Sequence, residues 1–90
     1  PWTVLALDGR LDHAGADALH PALIPLLESG ASVALDCARL AYVTSAGFRV
    51  LLQAEKAQRK SGGRLLLAHL SPELVKFFEI AGLHTVLRLA

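Results

Sequence analysis

The feature that most restricts this chain is a strict alternation, within ninety residues, of short apolar runs and longer segments with helical spacing. Thr3-Val4-Leu5-Ala6-Leu7 reads as a buried strand closed by the turn residues Asp8-Gly9. Ser32-Val33-Ala34-Leu35-Asp36, Leu65-Leu66-Leu67-Ala68 and Thr85-Val86-Leu87-Arg88-Leu89 read as three more strands. In the first intervening segment Asp12 stands at a helix N-cap. Leu19, Leu23, Leu26 and Leu27 then share one face, while Pro21 and Pro25 share the opposite one. A proline inside a helix costs about 3 kcal/mol through a lost hydrogen bond and a ring clash, although on an outer face water can satisfy the freed carbonyls. The spacing therefore predicts a kinked helix, or a loop followed by a short helix starting near Pro21, ended by Gly30. Phe48 to Lys60 is the clearest helix. Gly47, Val50, Leu51 and Ala54 make its buried stripe, Arg49, Gln53, Lys56 and Lys60 its wet side, and Ser61-Gly62-Gly63 stops it. Ser71 caps a third helix with Pro72 at its first position; Leu74, Val75 and Phe78 point inward and Ala81-Gly82 ends it.

Short βα units joined in this order specify parallel strands with right-handed crossovers. The expected fold is a single α/β domain over residues 1–90, with four predicted strands in a largely parallel sheet alternating with three helices. Sites in such sheets form at the carboxyl ends of the strands. Three polar features are expected to meet there: Asp8 to Asp12, Asp36, and Thr44-Ser45.

Composition excludes several classes. Net charge is +1 with 19% charged residues, too balanced for a protein that mainly grips phosphate backbones, so nucleic acid is not expected as a partner. Hydrophobic residues make up 53%, yet charged residues, glycine or proline interrupt every apolar run before the ~18 residues of a membrane span, so no membrane insertion is expected. Cys37 is the single cysteine, which removes any intrachain disulfide and fits a reducing compartment. No signal-peptide pattern opens the chain at Pro1, and a cytoplasmic location is expected.

The stretch from Leu35 to Phe48 leads from a strand into two adjacent hydroxyls, Thr44 and Ser45, that open a helix. Unpaired N–H groups and a partial positive charge gather at such a start, so a hydroxyl there is either a cap or a phosphoryl acceptor. Enzyme readings fail on the residues. Val43 stands where a nucleophile elbow needs its first glycine, and no His/Asp pair is placed to activate Ser45. His13, His20, His69 and His84 have no compact metal-ligand spacing, and Gly62-Gly63 lacks the lysine of a phosphate loop. No catalytic residue, metal or cofactor is expected.

In order along the chain, Gly9-Arg10-Leu11-Asp12, Leu35-Asp36, Thr44-Ser45-Ala46-Gly47-Phe48-Arg49-Val50-Leu51, Ser61-Gly62-Gly63, Ser71-Pro72 and Ile80-Ala81-Gly82-Leu83 resemble a STAS domain of the bacterial anti-sigma factor antagonist type. Family members often carry one more strand ahead of the first one here. The resemblance implies partner switching: the unphosphorylated protein binds an anti-sigma factor that is also a serine kinase of the same host, the sigma factor is freed, and phosphorylation of the helix-start loop ends the binding. In the best-known members that loop reads Asp-Ser-Ser-Gly or Asp-Ser-Thr-Gly. Here it reads Thr44-Ser45-Ala46-Gly47, so the resemblance makes Ser45 the expected acceptor with Thr44 second; an acceptor position at Ala46 would instead imply a constitutive binder. Asp12, Asp36, Thr44, Ser45, Ala46, Gly47, Phe48, Arg49 and Leu52 are the expected partner-binding residues. The alternative is a STAS accessory or sensory domain of a transport complex or larger regulator, binding without a phosphorylation switch. A homodimer stays open.

Overall fold

The computed structural model describes residues 2–89, so the end residues of the expected domain lie outside it. Strand β1 (Trp2–Leu11) leads to helix α1 (His13–Glu28), β2 (Ser32–Val43) to α2 (Ser45–Ser61), and β3 (Arg64–Ala68) to α3 (Pro72–Ile80); a 3-10 turn follows at Leu83–Thr85. The three strands lie in the order β1-β2-β3 and both pairings are parallel. Two helical crossovers, α1 and α2, join these parallel strands, as the alternation predicts.

Strand pleat decides what is buried. Val33, Leu35 and Cys37 of β2 and Leu65 and Leu67 of β3 point to one face, where they join Leu19, Leu23 and Leu27 of α1, Leu51 and Ala54 of α2, and Leu74 and Phe78 of α3 in one cluster. Each fully buried leucine there contributes about 2–3 kcal/mol relative to exposure. The alternate residues, such as Ala34 and Leu66, are only half-buried, and on the outer strand Val4 is 62% exposed. All three helices therefore pack on the same side of the sheet.

The structure corrects four expectations. The fourth strand does not form: Val86 and Leu87 donate their N–H groups to the Leu83 carbonyl and the Thr85 hydroxyl donates to that of Gly82, so the segment coils. Among the described residues a single parallel bridge, Leu67 with Leu89, remains, with the Leu67 N–H donating to the Arg88 carbonyl. Second, α1 is continuous through Pro21 and Pro25 from its Asp12 cap to Glu28; both prolines are exposed, so water can reach the carbonyls they leave unpaired. Third, Asp8-Gly9 does not end β1. Gly9 (φ +75°) lies at a register shift where the strand absorbs an irregularity and continues to Leu11, because β2 offers Arg39 to Val43 as partners. Fourth, β2 likewise runs on past Asp36 to Val43, and α2 starts at Ser45, ahead of Phe48. Beyond Asp36 and Ala68, where β3 stops, β1 and β2 thus extend as a two-stranded ribbon.

Candidate functional site

The ribbon delivers two helix starts to one place. Leu11 and Val43 are register partners, and the residue after each is an N-cap. Asp12 accepts a hydrogen bond at Oδ1 from the Gly15 N–H (3.0 Å). That bond is the main reason its carboxyl is held below the ordinary value of 3.8. Thr44 uses its hydroxyl in both senses: Oγ1 accepts from the Gly47 N–H (3.4 Å) and donates to the Leu11 carbonyl (3.3 Å). The Thr44 N–H reaches the same carbonyl at 3.0 Å. α2 is therefore stitched to the end of β1 before its first turn begins.

Gly47 makes that closeness possible. A Cβ there would collide with the Leu11 carbonyl oxygen and lie 2.8 Å from Val43 Cγ1. Its place among the expected binding residues is better described as packing, since it is buried. Ser45, in contrast, is the first residue of α2, is exposed, and has no side-chain hydrogen bond among the described residues. The two adjacent hydroxyls have divided the roles that the sequence left open between them. Thr44 is the cap; Ser45 is free.

Asp36 does not join this group. It pairs with Ala6 and accepts at Oδ1 from the Ala38 N–H (3.1 Å), bracing the register shift in β2. Val43 lies seven residues farther along β2, roughly 23 Å at the usual rise per residue. The expected meeting of Asp8, Asp36 and Ser45 at one strand edge is thus corrected. Both strands continue past the aspartates, and only Asp12 reaches the Thr44-Ser45 loop. Phe48 is half-buried with its ring edge-on to Phe78, centroids 5.3 Å apart, and so fastens α2 to α3. Leu52 is half-buried beside it, while Arg49 is exposed one turn after Ser45.

Residues that sequence reasoning missed lie opposite, on α1. A cleft of about 240 Å³ opens between the two helices, lined by His13, Asp17 and His20 on one side and by Arg49 and Gln53 on the other. Ala16, Ala46 and Val50 form its apolar part. His13 Nε2 lies 3.4 Å from Asp17 Oδ2. The His13/Asp17 spacing was visible in the sequence, but nothing local indicated that α2 would lie alongside. Cys37 is buried, and burial pushes its thiol from 9.0 up to about 12, as expected for a small apolar filler with no reactive role.

The family model described as "Mlab, STAS domain" matches residues 2–89 of this chain. The chain belongs to the STAS family. Among its relatives, the anti-sigma-B factor antagonist of Bacillus subtilis (strain 168) is 34% identical over 79 residues, covering 88% of this chain and 72% of the relative. BtrV of Bordetella bronchiseptica, provisionally named an anti-sigma factor antagonist, is 35% identical over 88 residues, covering 97% of this chain and 76% of the relative. The solved structure of the anti-sigma factor antagonist SpoIIAA in its unphosphorylated form superposes with a TM-score of 0.77 at 21% identity, covering 99% of this chain and 78% of that one. This STAS domain thus has the family's α/β fold with three helices and a parallel three-stranded sheet. The helix that opens at Ser45 projects from the end of its longest strand.

Proposed function

We propose that this STAS domain is a noncatalytic anti-sigma factor antagonist of the bacterial cytoplasm, acting in transcription regulation by partner switching. It docks an anti-sigma factor that is also a serine kinase through the surface where α1 and α2 begin, using Asp12, Ser45, Ala46, Arg49 and the rim of Phe48 and Leu52. Thr44 and Gly47 hold that surface in shape. Asp36, farther back along β2, lies outside that surface. The kinase transfers the γ-phosphoryl group of ATP to Ser45 Oγ: the new P–O bond replaces the β–γ bridge, ADP leaves, and the serine proton passes to a base on the kinase. A dianion then occupies an interface matched to a neutral hydroxyl, and the complex separates.

The observation that carries this reading is the free, exposed Ser45 hydroxyl beside the committed one of Thr44. Two relatives bearing the name anti-sigma factor antagonist support the partner class. The test is intact-mass and phosphopeptide analysis of the chain after incubation with ATP and the kinase-like protein that copurifies with it from its host. One phosphoryl group on wild type, none on Ser45→Ala, and weaker binding by Ser45→Asp are expected. Full phosphorylation of Ser45→Ala would remove Ser45 from the mechanism. The same fold in a sulfate transporter family protein from Wolinella succinogenes keeps a transport-complex role as the second reading. Copurification with an ATPase subunit and no kinase would select it.

A further inference from the structure

The outer crest of α2 has a uniform character. At 100° per residue, Ser45, Arg49, Gln53, Lys56 and Lys60 fall within an arc of about 80° and extend over roughly 22 Å. All five are exposed. No carboxylate lies among them, because Glu55, the one acid of α2, is buried on the flank and accepts from Arg59 Nε at 2.6 Å. Arg49, Lys56 and Lys60 make no ion pair among the described residues. The flanking helices bring few opposing charges: Asp17 and Glu28 on α1, of which Asp17 lies against His13, and Glu73 and Glu79 on α3. Beside the N-terminal half of the crest lies the α1–α2 cleft with its apolar floor.

From this charge pattern we infer that the α2 crest, from Arg49 to Lys60, receives an acidic protein surface, with one side chain of that partner entering the α1–α2 cleft. The inference rests on the docking reading and adds the chemistry of the partner's contact surface. Charge complementarity selects carboxylates: three unpaired cations along one line, with no acid between them, favour an anionic counterpart and penalise a basic one. A membrane surface fits less well, because an interfacial helix needs large apolar side chains to bury and this crest has none. Three cations flanked by Asp17 and Asp12 are likewise a poor track for a nucleic-acid backbone. The same arrangement bears on Ser45. A phosphate there stands one turn before Arg49, at the i,i+4 spacing at which opposite charges pair. It would both occupy that guanidinium and repel the incoming carboxylates.

The probe is a synthetic helical peptide with four glutamates at i,i+4 spacing, titrated into 15N-labelled chain and followed by amide shifts. Shifts should centre on Arg49, Gln53 and Lys56. Affinity should fall about tenfold in Arg49→Glu/Lys56→Glu and at least about threefold between about 50 and about 300 mM salt. The control Arg64→Glu/Arg88→Glu, which removes two exposed arginines that line a separate cleft with Glu55 and Gln58, off the crest, should bind as wild type. Shifts centred on Arg64 and Arg88, or binding that survives the reversal at 49 and 56, would overturn the inference. So would a preference for 30% phosphatidylserine vesicles or a short oligonucleotide over the peptide. The copurified kinase-like protein separates the two readings. If Ser45→Asp weakens that complex and Arg49→Glu/Lys56→Glu does not, docking at Ser45 stands and the acidic-surface inference falls; the reverse result sustains the stripe and refutes Ser45.

Discussion

Replacing Gly47 by alanine tests the geometry of the loop most directly, because two physical effects predict opposite signs. In an ordinary helix interior alanine is favoured over glycine by about 1 kcal/mol. At position 47 the added methyl would meet the Leu11 carbonyl oxygen, Val43 Cγ1 at 2.8 Å and Leu11 Cγ at 3.0 Å. The first of these is backbone, and it is the same carbonyl that receives both the Thr44 N–H and the Thr44 hydroxyl. Relief therefore requires α2 to lift from the end of β1, weakening those two bonds. Overpacking of this kind costs about 1–3 kcal/mol and can cost more when backbone must move. After subtracting the propensity gain, Gly47→Ala should lose up to about 2 kcal/mol, which for a domain of this size lowers the melting temperature by up to roughly 15 °C. Urea unfolding followed by circular dichroism gives the free energy, with an unchanged m-value marking a native-state effect. Ser45→Ala, two residues away and exposed, should stay within about 0.5 kcal/mol of wild type. A Gly47→Ala variant that is more stable than wild type by about 1 kcal/mol would refute the close approach of α2 to β1.

Further outcomes follow from the same structure. Thr44→Ala should cost about 1 kcal/mol in urea unfolding, through loss of the cap, and should still take its phosphoryl group at Ser45. The depressed carboxyl of Asp12 favours the folded state above the ordinary value of 3.8, and that contribution is lost as pH falls through the lower folded value. An acid titration of stability should accordingly be shallower in Asp12→Asn than in wild type. Cys37, pushed from 9.0 to about 12, should react with a thiol reagent in the native protein about a thousandfold more slowly than in urea at pH 8. Between pH 9 and 12 the unfolded thiol ionises while the folded one does not, so stability should decline across that window, and Cys37→Ala should decline less. His69 sits at φ +62°, in the left-handed region, on an exposed turn after β3. His69→Gly should raise stability by roughly 0.5–1 kcal/mol, and a loss would show that its side chain holds the turn.

The caps were legible because capping is local. Asp12 and Ser71 each receive an N–H three residues on, and that relation is visible in a string of letters. The bounds of the strands were not. Whether Asp8-Gly9 is a turn or an irregularity inside a longer strand depends on what lies opposite, and β2 supplied Arg39 to Val43. The same extension carried the loop away from Asp36, which the sequence had placed beside it. Pro21 and Pro25 threaten α1 when only their letters are considered, yet the buried row of Leu19, Leu23 and Leu27 holds it continuous. Thr85 to Leu89 has strand-like letters but coils at its start, with bonds made to Gly82 and Leu83, and meets β3 only at its end, where the Leu67 N–H donates to the Arg88 carbonyl.

By itself, then, the sequence determined the alternation of strands and helices, the buried face of each helix, the family and the hydroxyl pair at the start of α2. These follow from periodicity and from contacts within a few residues. Only the tertiary structure decided which hydroxyl is bound and which is free, that Gly47 is a packing residue, and that α1 and α2 share a cleft beside a basic crest. Each of those depends on a partner more than thirty residues distant in the chain, such as Leu11 for Thr44, and such pairings are set by the sheet register and not by local preference.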